Sequence, residues 1–241
     1  MVDITPHKRT ATLTVRPPMA EVIVIAAAMA IGLAAFATAV LPSPGWALGA
    51  FALCVGLVVL GLRRNYPHAV FGLCNTVTLG RAALLSLLAA ALFDAGAVSP
   101  WLVFWVGLTI LSLDGVDGWL ARRSQLKSDF GARFDMEVDA ALGAVLALWL
   151  LLSGRTGAEI LVLGFMRYVF VLAGLAWPLL RGALPESMRR KTICVVQVGT
   201  LIVLTCPLIS PGIAGPVALV ASMLLVLSFA IDTAWLVRHR R

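Results

Sequence analysis

Long apolar stretches run along almost the whole chain, interrupted by clusters of charge, proline and glycine. Hydrophobic residues make up 61% of the 241 positions and charged residues 13%, against about 45–50% and about 25% in soluble domains. About 20 helical residues cross the ~30 Å hydrocarbon layer of a bilayer. No apolar run alternates with polar residues as a spanning strand does, so we predict an all-α integral membrane protein. We expect about eight transmembrane helices, near residues 19–41, 45–62, 76–95, 99–117, 134–152, 157–180, 192–208 and 213–237.

The basic residues are distributed unevenly between the two sides of this predicted bundle. With a cytoplasmic N-terminus, all nineteen Lys and Arg except Arg81, Arg155 and Arg167 fall in cytoplasmic segments, as expected from the positive-inside rule. We therefore predict a multi-pass protein of the cell's inner (plasma) membrane, with both termini on the cytoplasmic side. The net charge of +7 then reflects topology and contact with anionic headgroups. Nothing further supports a nucleic-acid partner.

Half of the chain's twelve carboxylates lie between residues 111 and 140. Asp114 and Asp117 are three residues apart near the end of the fourth predicted span, and Asp135 and Asp139 are four apart at the start of the fifth. Either spacing places both members of a pair on one helix face. Because the connecting segment is short, we expect the two helices to be antiparallel neighbours whose pairs face each other on the cytoplasmic side.

Four converging carboxylates need a positive counter-charge, because an ionised carboxylate near hydrocarbon costs about 2.5 kcal/mol or more. Basic side chains could supply it, but Asp oxygens with open coordination positions also suit Mg²⁺, Mn²⁺ or Ca²⁺. Paired divalent ions can hold the attacking and leaving oxygens of a phosphoryl displacement. The acidic segment of residues 111–140 therefore predicts a metal-assisted reaction at a phosphate ester or anhydride. Asp129 and Glu137 fall off the shared face and are expected to be solvated or structural.

The same acidic segment contains a motif of eight defined positions. It reads Asp114-x-x-Asp117-Gly118-x-x-Ala121-Arg122, then eight residues, then Gly131-x-x-x-Asp135-x-x-x-Asp139. This motif resembles the complete signature of the CDP-alcohol phosphotransferases. Upstream, the segment CNTVTLGR at residues 74–81 is similar to the Pro-Asn-x-x-Thr-x-x-Arg element that many members use around the cytidine nucleotide, with Cys74 in place of the proline.

The resemblance implies a division of the chain into a family core and additions to it. A core of six transmembrane helices would occupy residues 70–237, the third to the eighth predicted spans. Residues 1–18 would form a cytoplasmic tail, residues 19–65 two additional transmembrane helices, and residues 238–241 a basic cytoplasmic tail. Because members commonly form homodimers, the resemblance also implies a homodimer.

For the chemistry, the resemblance implies that a hydroxyl attacks the phosphate attached to the alcohol part of a CDP-alcohol and releases CMP. Asp114, Asp117, Asp135 and Asp139 would bind the metal, as Mg²⁺ or Mn²⁺ in two ions, and Asp139 would also be the candidate general base. The resemblance further implies these nucleotide-binding residues: Asn75, Thr78, Arg81, Gly118, Ala121, Arg122 and Gly131.

Two substrate schemes are compatible with this signature. We favour CDP-diacylglycerol as the donor and a small polar acceptor resembling glycerol 3-phosphate, whose phosphate would need cationic partners. The candidates for acceptor binding are Arg133, Arg167, Arg189, Arg190 and Lys191. Family members with phosphorylated acceptors often have Lys after the last signature aspartate, and here Ala140 takes that place, so the acceptor stays open. The second scheme is transfer from CDP-choline or CDP-ethanolamine to diacylglycerol.

Two further alternatives concern Arg167 and the class of protein. An arginine within a span is usually functional. The alternatives for Arg167 are an ion pair with Glu159 or with a core carboxylate, or extension of its side chain to the membrane interface. Intramembrane carboxylates also occur in ion-coupled transporters. Such a transporter would have its carboxylates near the midplane and broken helices in repeated halves. Here the aspartates lie at span ends and no internal repeat is visible.

Overall fold

The computed structural model of the protein describes residues 18–123, 126, 128–177 and 188–238. These residues form eight α-helices and no strand. The helices are α1 (Met19–Val40), α2 (Gly45–Asn65), α3 (Leu73–Ala90), α4 (Pro100–Arg123), α5 (Asp129–Leu152), α6 (Ile160–Ala176), α7 (Met188–Thr205) and α8 (Pro211–Arg238). Each predicted span corresponds to one helix, and the predicted all-α fold is confirmed.

Five of the described helices, α1, α2, α3, α4 and α8, are long and apolar enough to cross a membrane. The apolar parts of α6 and α7, Ile160–Ala176 and Thr192–Thr205, are shorter. The first turns of α5 carry the acidic residues that interrupt its apolar pattern. Several apolar helices in one chain are consistent with a multi-pass integral membrane protein.

Local sequence signals fix the helix ends that carry the polar residues. The helix α2 stops before Tyr66, whose backbone is extended (φ −84°, ψ 121°), because the residue before a proline disfavours the helical conformation. The helix α5 begins after Ser128, whose side-chain oxygen accepts a hydrogen bond of 3.0 Å from the Gly131 N–H, as an N-cap residue does. The last turns of α4 and the first turns of α5 carry the four aspartates of the predicted site, and we call this end of the bundle the aspartate end.

The helix α3 lies at the centre of the bundle. Its span is 67% buried, against 22–28% for the other four candidate spans, and it packs against α1, α2, α4 and α5. The helices α4 and α5 meet at their aspartates, as expected of neighbours whose acidic pairs face each other, with oxygens of Asp114, Asp135 and Asp139 within 4.8 Å of one another. The helix α3 packs more extensively on each of them than they pack on each other. The physical reason is a buried side chain of α3 that supplies the counter-charge for the carboxylates of both helices.

The helices α5 and α6 approach closely at two glycines. A Cβ atom added to Gly164 would lie 2.5 Å from the Ala147 Cβ and 3.0 Å from the carbonyl oxygen of Gly143. Such distances leave no room for a side chain, as is common where membrane helices pack through small residues. By contrast, a Cβ added to Gly49 of α2 meets nothing within 4 Å.

We expect Gly164→Ala to destabilise the protein, because the added methyl group must push the two helix backbones apart. The overpacking cost is about 1–3 kcal/mol. The matched control, Gly49→Ala, should be neutral or gain up to about 1 kcal/mol, since alanine favours helix. Thermal unfolding of the two variants in detergent measures the difference. Equal melting temperatures would contradict this account of the α5–α6 contact.

Candidate active site

One arginine of α3 binds all four aspartates of the predicted site. Arg81 has a fully buried side chain, and its Nη1 lies 2.8 Å from Asp117 Oδ2 and 2.5 Å from Asp135 Oδ1. Its Nη2 lies 3.0 Å from Asp114 Oδ1 and also forms an ion pair with Asp139 Oδ1. A planar guanidinium with five N–H donors suits several carboxylates at once. The predicted convergence of the aspartates is therefore observed, and Arg81 stands at its centre.

The four aspartates differ in their exposure to the surroundings. The side chain of Asp117 is 4% exposed, whereas those of Asp114, Asp135 and Asp139 are 37%, 40% and 43% exposed. Asp117 is also held by Thr78, whose hydroxyl lies 3.1 Å from Asp117 Oδ2 and 3.0 Å from the Cys74 carbonyl oxygen. Asp117 is thus fixed inside the bundle, whereas the other three carboxylates are partly exposed.

The three exposed aspartates form a group that fits a divalent cation. Asp114, Asp135 and Asp139 each offer one carboxylate oxygen, and these oxygens lie within 4.8 Å of one another. Metal–oxygen distances of about 2.0–2.1 Å for Mg²⁺ and 2.3–2.6 Å for Ca²⁺ place opposite ligand oxygens about 4–5 Å apart. The donor set is composed of hard oxygens, as these cations require. Asp117 is outside this group, and its predicted role as a ligand stays a prediction.

Several predicted nucleotide-binding residues line one cavity of about 270 Å³ beside the aspartates. Its walls come from α3, α4, α5 and the segment before α5. They include Asn75, Thr78, Gly118 and Gly131, together with Asp117 and Asp135. A Cβ added to Gly131 would lie 2.8 Å from Asn75 Oδ1, so this glycine permits the close approach of α5 to Asn75. The fold thus brings together residues that lie far apart in the sequence.

The connection between α2 and α3 contributes a residue that the sequence analysis did not identify. Tyr66 is buried, and its hydroxyl accepts a 3.0 Å hydrogen bond from Asn75 Nδ2 while lying 3.0 Å from the carbonyl oxygens of Val70 and Phe71. Burial raises the pKa of Tyr66 to about 12, and its protonated hydroxyl can donate to one of these carbonyl oxygens while it accepts from Asn75. The nine-residue separation from Asn75 across a Pro and a Gly gives no periodic signal for this contact.

Among the predicted acceptor-binding residues whose side chains the structure describes, Arg133 and Arg167 form no ion pair with the four aspartates, and their role stays a prediction. Arg167 donates a hydrogen bond of 2.6 Å from Nη2 to Glu137 Oε1. Of the alternatives that the sequence left open for Arg167, the structure therefore shows pairing with a carboxylate of α5, and the partner is Glu137 and not Glu159. Arg133 is exposed on α5 and forms no ion pair among the described residues. The following side chains lie outside the residues that the structure describes: Ala121, Arg122, Arg189, Arg190 and Lys191.

Comparison with known families agrees with this geometry. The family model of the CDP-alcohol phosphatidyltransferases matches residues 71–232, well over half of the chain. The protein therefore belongs to the CDP-alcohol phosphatidyltransferase family. Membership makes it a transferase of phosphate-containing groups, in a family that transfers a phosphatidyl group from a CDP-alcohol to an acceptor and generally depends on a divalent metal. Searches of curated proteins and of solved structures gave no match.

We expect Arg81→Gln to destabilise the fold strongly, because it leaves four carboxylates without their shared counter-charge. Removing one partner of a buried ion pair costs about 3–5 kcal/mol. Thermal unfolding in detergent should show a large decrease in melting temperature, which added Mg²⁺ partly reverses. The control Arg63→Gln changes an exposed arginine that forms no ion pair within the described residues and should have little effect. Similar melting temperatures for the two variants would disprove the central role of Arg81.

We expect Tyr66→Phe to weaken binding of the CDP-alcohol, because Asn75 loses one of its two hydrogen-bond acceptors. A hydrogen bond contributes about 1 kcal/mol, so KM should rise about fivefold while kcat changes little. The matched control is Tyr168→Phe, at the chain's other tyrosine, because the Tyr168 hydroxyl forms no hydrogen bond within the described residues. A decrease in kcat without a change in KM would show that Tyr66 does not act through nucleotide binding.

Proposed function

We propose that the protein transfers the phosphatidyl group of CDP-diacylglycerol to the hydroxyl of a small polar acceptor that resembles glycerol 3-phosphate, with two Mg²⁺ or Mn²⁺ ions as cofactor. The observation that carries the proposal is the group of three aspartate oxygens within 4.8 Å of one another. Two of these aspartates, Asp135 and Asp139, are on α5, and Asp135 also lines the cavity of the predicted nucleotide residues.

The proposed roles follow from the contacts of the aspartates. Asp114, Asp135 and Asp139 face the ligand side, and Arg81 holds each of them through one oxygen. Divalent ions bound there would neutralise the diphosphate and stabilise charge on the attacking and leaving oxygens. Asn75, Thr78, Gly118 and Gly131 would enclose the cytidine nucleotide in the adjoining cavity. Asp117, which is buried against Arg81 and Thr78, would keep α3 and α4 in register and stays a candidate metal ligand.

Asp139 is proposed as the general base. It binds Arg81 through Oδ1, which leaves Oδ2 for the acceptor hydroxyl. The hydroxyl proton passes to Asp139, the hydroxyl oxygen forms a bond to the phosphorus that carries diacylglycerol, and the bond from that phosphorus to the bridging oxygen breaks. The bridging oxygen leaves with CMP. A general base must reach the proton within about 3.2 Å or through one water.

The orientation and assembly also belong to the proposal. The basic loops of the sequence support a cytoplasmic aspartate end, which is the side where a water-soluble acceptor and released CMP are found. A homodimer is proposed by analogy with the family. The second substrate scheme, transfer from CDP-choline or CDP-ethanolamine to diacylglycerol, is the alternative. A phosphorylated acceptor needs cationic partners, and no described basic side chain other than Arg81 forms an ion pair with the aspartates.

We expect purified protein with Mg²⁺ or Mn²⁺ to release CMP from CDP-diacylglycerol when a suitable acceptor is added, and chelation by EDTA to abolish this activity. Glycerol 3-phosphate, inositol phosphate, serine and unphosphorylated alcohols form the acceptor screen. Loss of the base in Asp139→Asn should lower kcat by about 10²–10⁴-fold, whereas Asp94→Asn, in the connection between α3 and α4, should retain activity.

Three results would overturn parts of this proposal. Normal turnover by folded Asp139→Asn would disprove the role of Asp139 as the base. Activity that persists in EDTA would disprove the metal requirement. If no acceptor in the screen supports CMP release, and diacylglycerol instead consumes CDP-choline or CDP-ethanolamine, then the second substrate scheme is correct.

A further inference from the structure

A second and larger cavity lies between α2 and the family core. Its volume is about 920 Å³, near the upper end of the roughly 300–1,000 Å³ found for small-molecule sites. Residues of α2, α3 and α5 form its walls, and the contributing face of α5 does not include Asp135 or Asp139. Most of the lining side chains are apolar, among them Leu53, Leu57, Leu85, Val138 and Val145.

The cavity follows α2 over most of its length. Lining residues of α2 extend from Ala50 to Arg64, which at 1.5 Å per residue is about 21 Å. One leaflet of a bilayer has a hydrocarbon layer of about 15 Å, so the cavity is long enough for an acyl chain. Leu53 and Leu57, both on its wall, are 67% and 61% exposed. This apolar wall is therefore accessible from the surrounding lipid.

Charged side chains lie at the aspartate end of this cavity. Arg64 and Arg133 both line it, both are exposed, and neither forms an ion pair among the described residues. Of the two acidic residues in the lining, Glu137 is already paired with Arg167, and Asp129 lies in the first turn of α5. Two unpaired guanidinium groups against one unpaired carboxylate leave a positive excess. Arginine is well suited to hold a phosphate through two N–H donors.

We propose that this cavity binds one anionic glycerophospholipid of the surrounding bilayer, with its phosphate between Arg64 and Arg133 and an acyl chain along α2. An acyl chain matches the long apolar wall, and a negatively charged headgroup matches the excess of positive charge at the end of that wall. The lipid would fill the space between α2 and the core helices α3 and α5. This site is separate from the aspartates and does not depend on the proposed function.

The first experiment measures lipid retention. Delipidated protein is reconstituted in nanodiscs of equimolar phosphatidylglycerol and phosphatidylcholine, released into mild detergent, and examined by native mass spectrometry. We expect one phosphatidylglycerol per chain. The double variant Arg64→Gln/Arg133→Gln should lose the preference by about tenfold, whereas Arg63→Gln, beside Arg64 but outside the lining, should stay within about twofold.

A second pair of variants tests the cavity itself. Ala50 lines the cavity, and Ala52, two residues further along α2, is exposed and does not line it. We expect Ala50→Phe to expel the bound lipid and Ala52→Phe to retain it, with both variants eluting from gel filtration as the wild type does. Because this pair leaves all arginines in place, it remains informative even if the double arginine variant fails to fold.

Several outcomes would overturn the lipid site. Equal retention by Ala50→Phe and Ala52→Phe would show that the lipid binds elsewhere. An equal loss in Arg63→Gln and in the double variant would show a general surface attraction without a specific site. A third outcome is that the protein retains no lipid and that the Leu57→Cys variant forms a cross-link between two copies of the chain. In that case the cavity is filled by a second copy of the chain and not by a lipid.

Discussion

The buried guanidinium of Arg81 is the interaction on which the arrangement of the active site depends. It pairs with two aspartates of α4 and two of α5, and each of those carboxylates would repel the others without it. Breaking such a buried pair costs several kcal/mol. The packing of α3 against both α4 and α5 allows this one side chain to reach both acidic pairs. The arginine therefore organises both the packing of the core and the geometry of the site.

The two additional N-terminal helices are joined to the site even though they precede the region that defines the family, residues 71–232. Glu21 of α1 accepts a 2.9 Å hydrogen bond from the Phe71 N–H, at the start of that region. Tyr66, just after α2, holds the amide of Asn75. These contacts place the first turn of α3, where the predicted nucleotide-binding residues begin. The helix α2 also forms one wall of the larger cavity, so it contributes surface to two regions of the protein.

Sequence patterns predicted the helices and the convergence of the four aspartates, because both signals are local. Apolar runs and Pro or Gly breaks mark each helix, and spacings of three and four residues place Asp114 with Asp117 and Asp135 with Asp139 on shared faces. The partner of the carboxylates was harder to predict. Arg81 was expected to contact the nucleotide, and the structure shows it bound to the aspartates. The spacing of residues along one helix carries no information about a counter-charge that comes from another helix.

By itself, the sequence determined that the chain forms membrane-spanning helices, that two acidic pairs stand at helix ends, and that the signature is that of the CDP-alcohol phosphotransferases. The contacts between helices appear only in the fold: α3 packs on both α4 and α5, Arg167 pairs with Glu137, and Tyr66 binds Asn75. The reason is that helix periodicity depends on neighbouring residues in the chain. The choice of neighbouring helix depends on long-range packing and on the need to pair every buried charge.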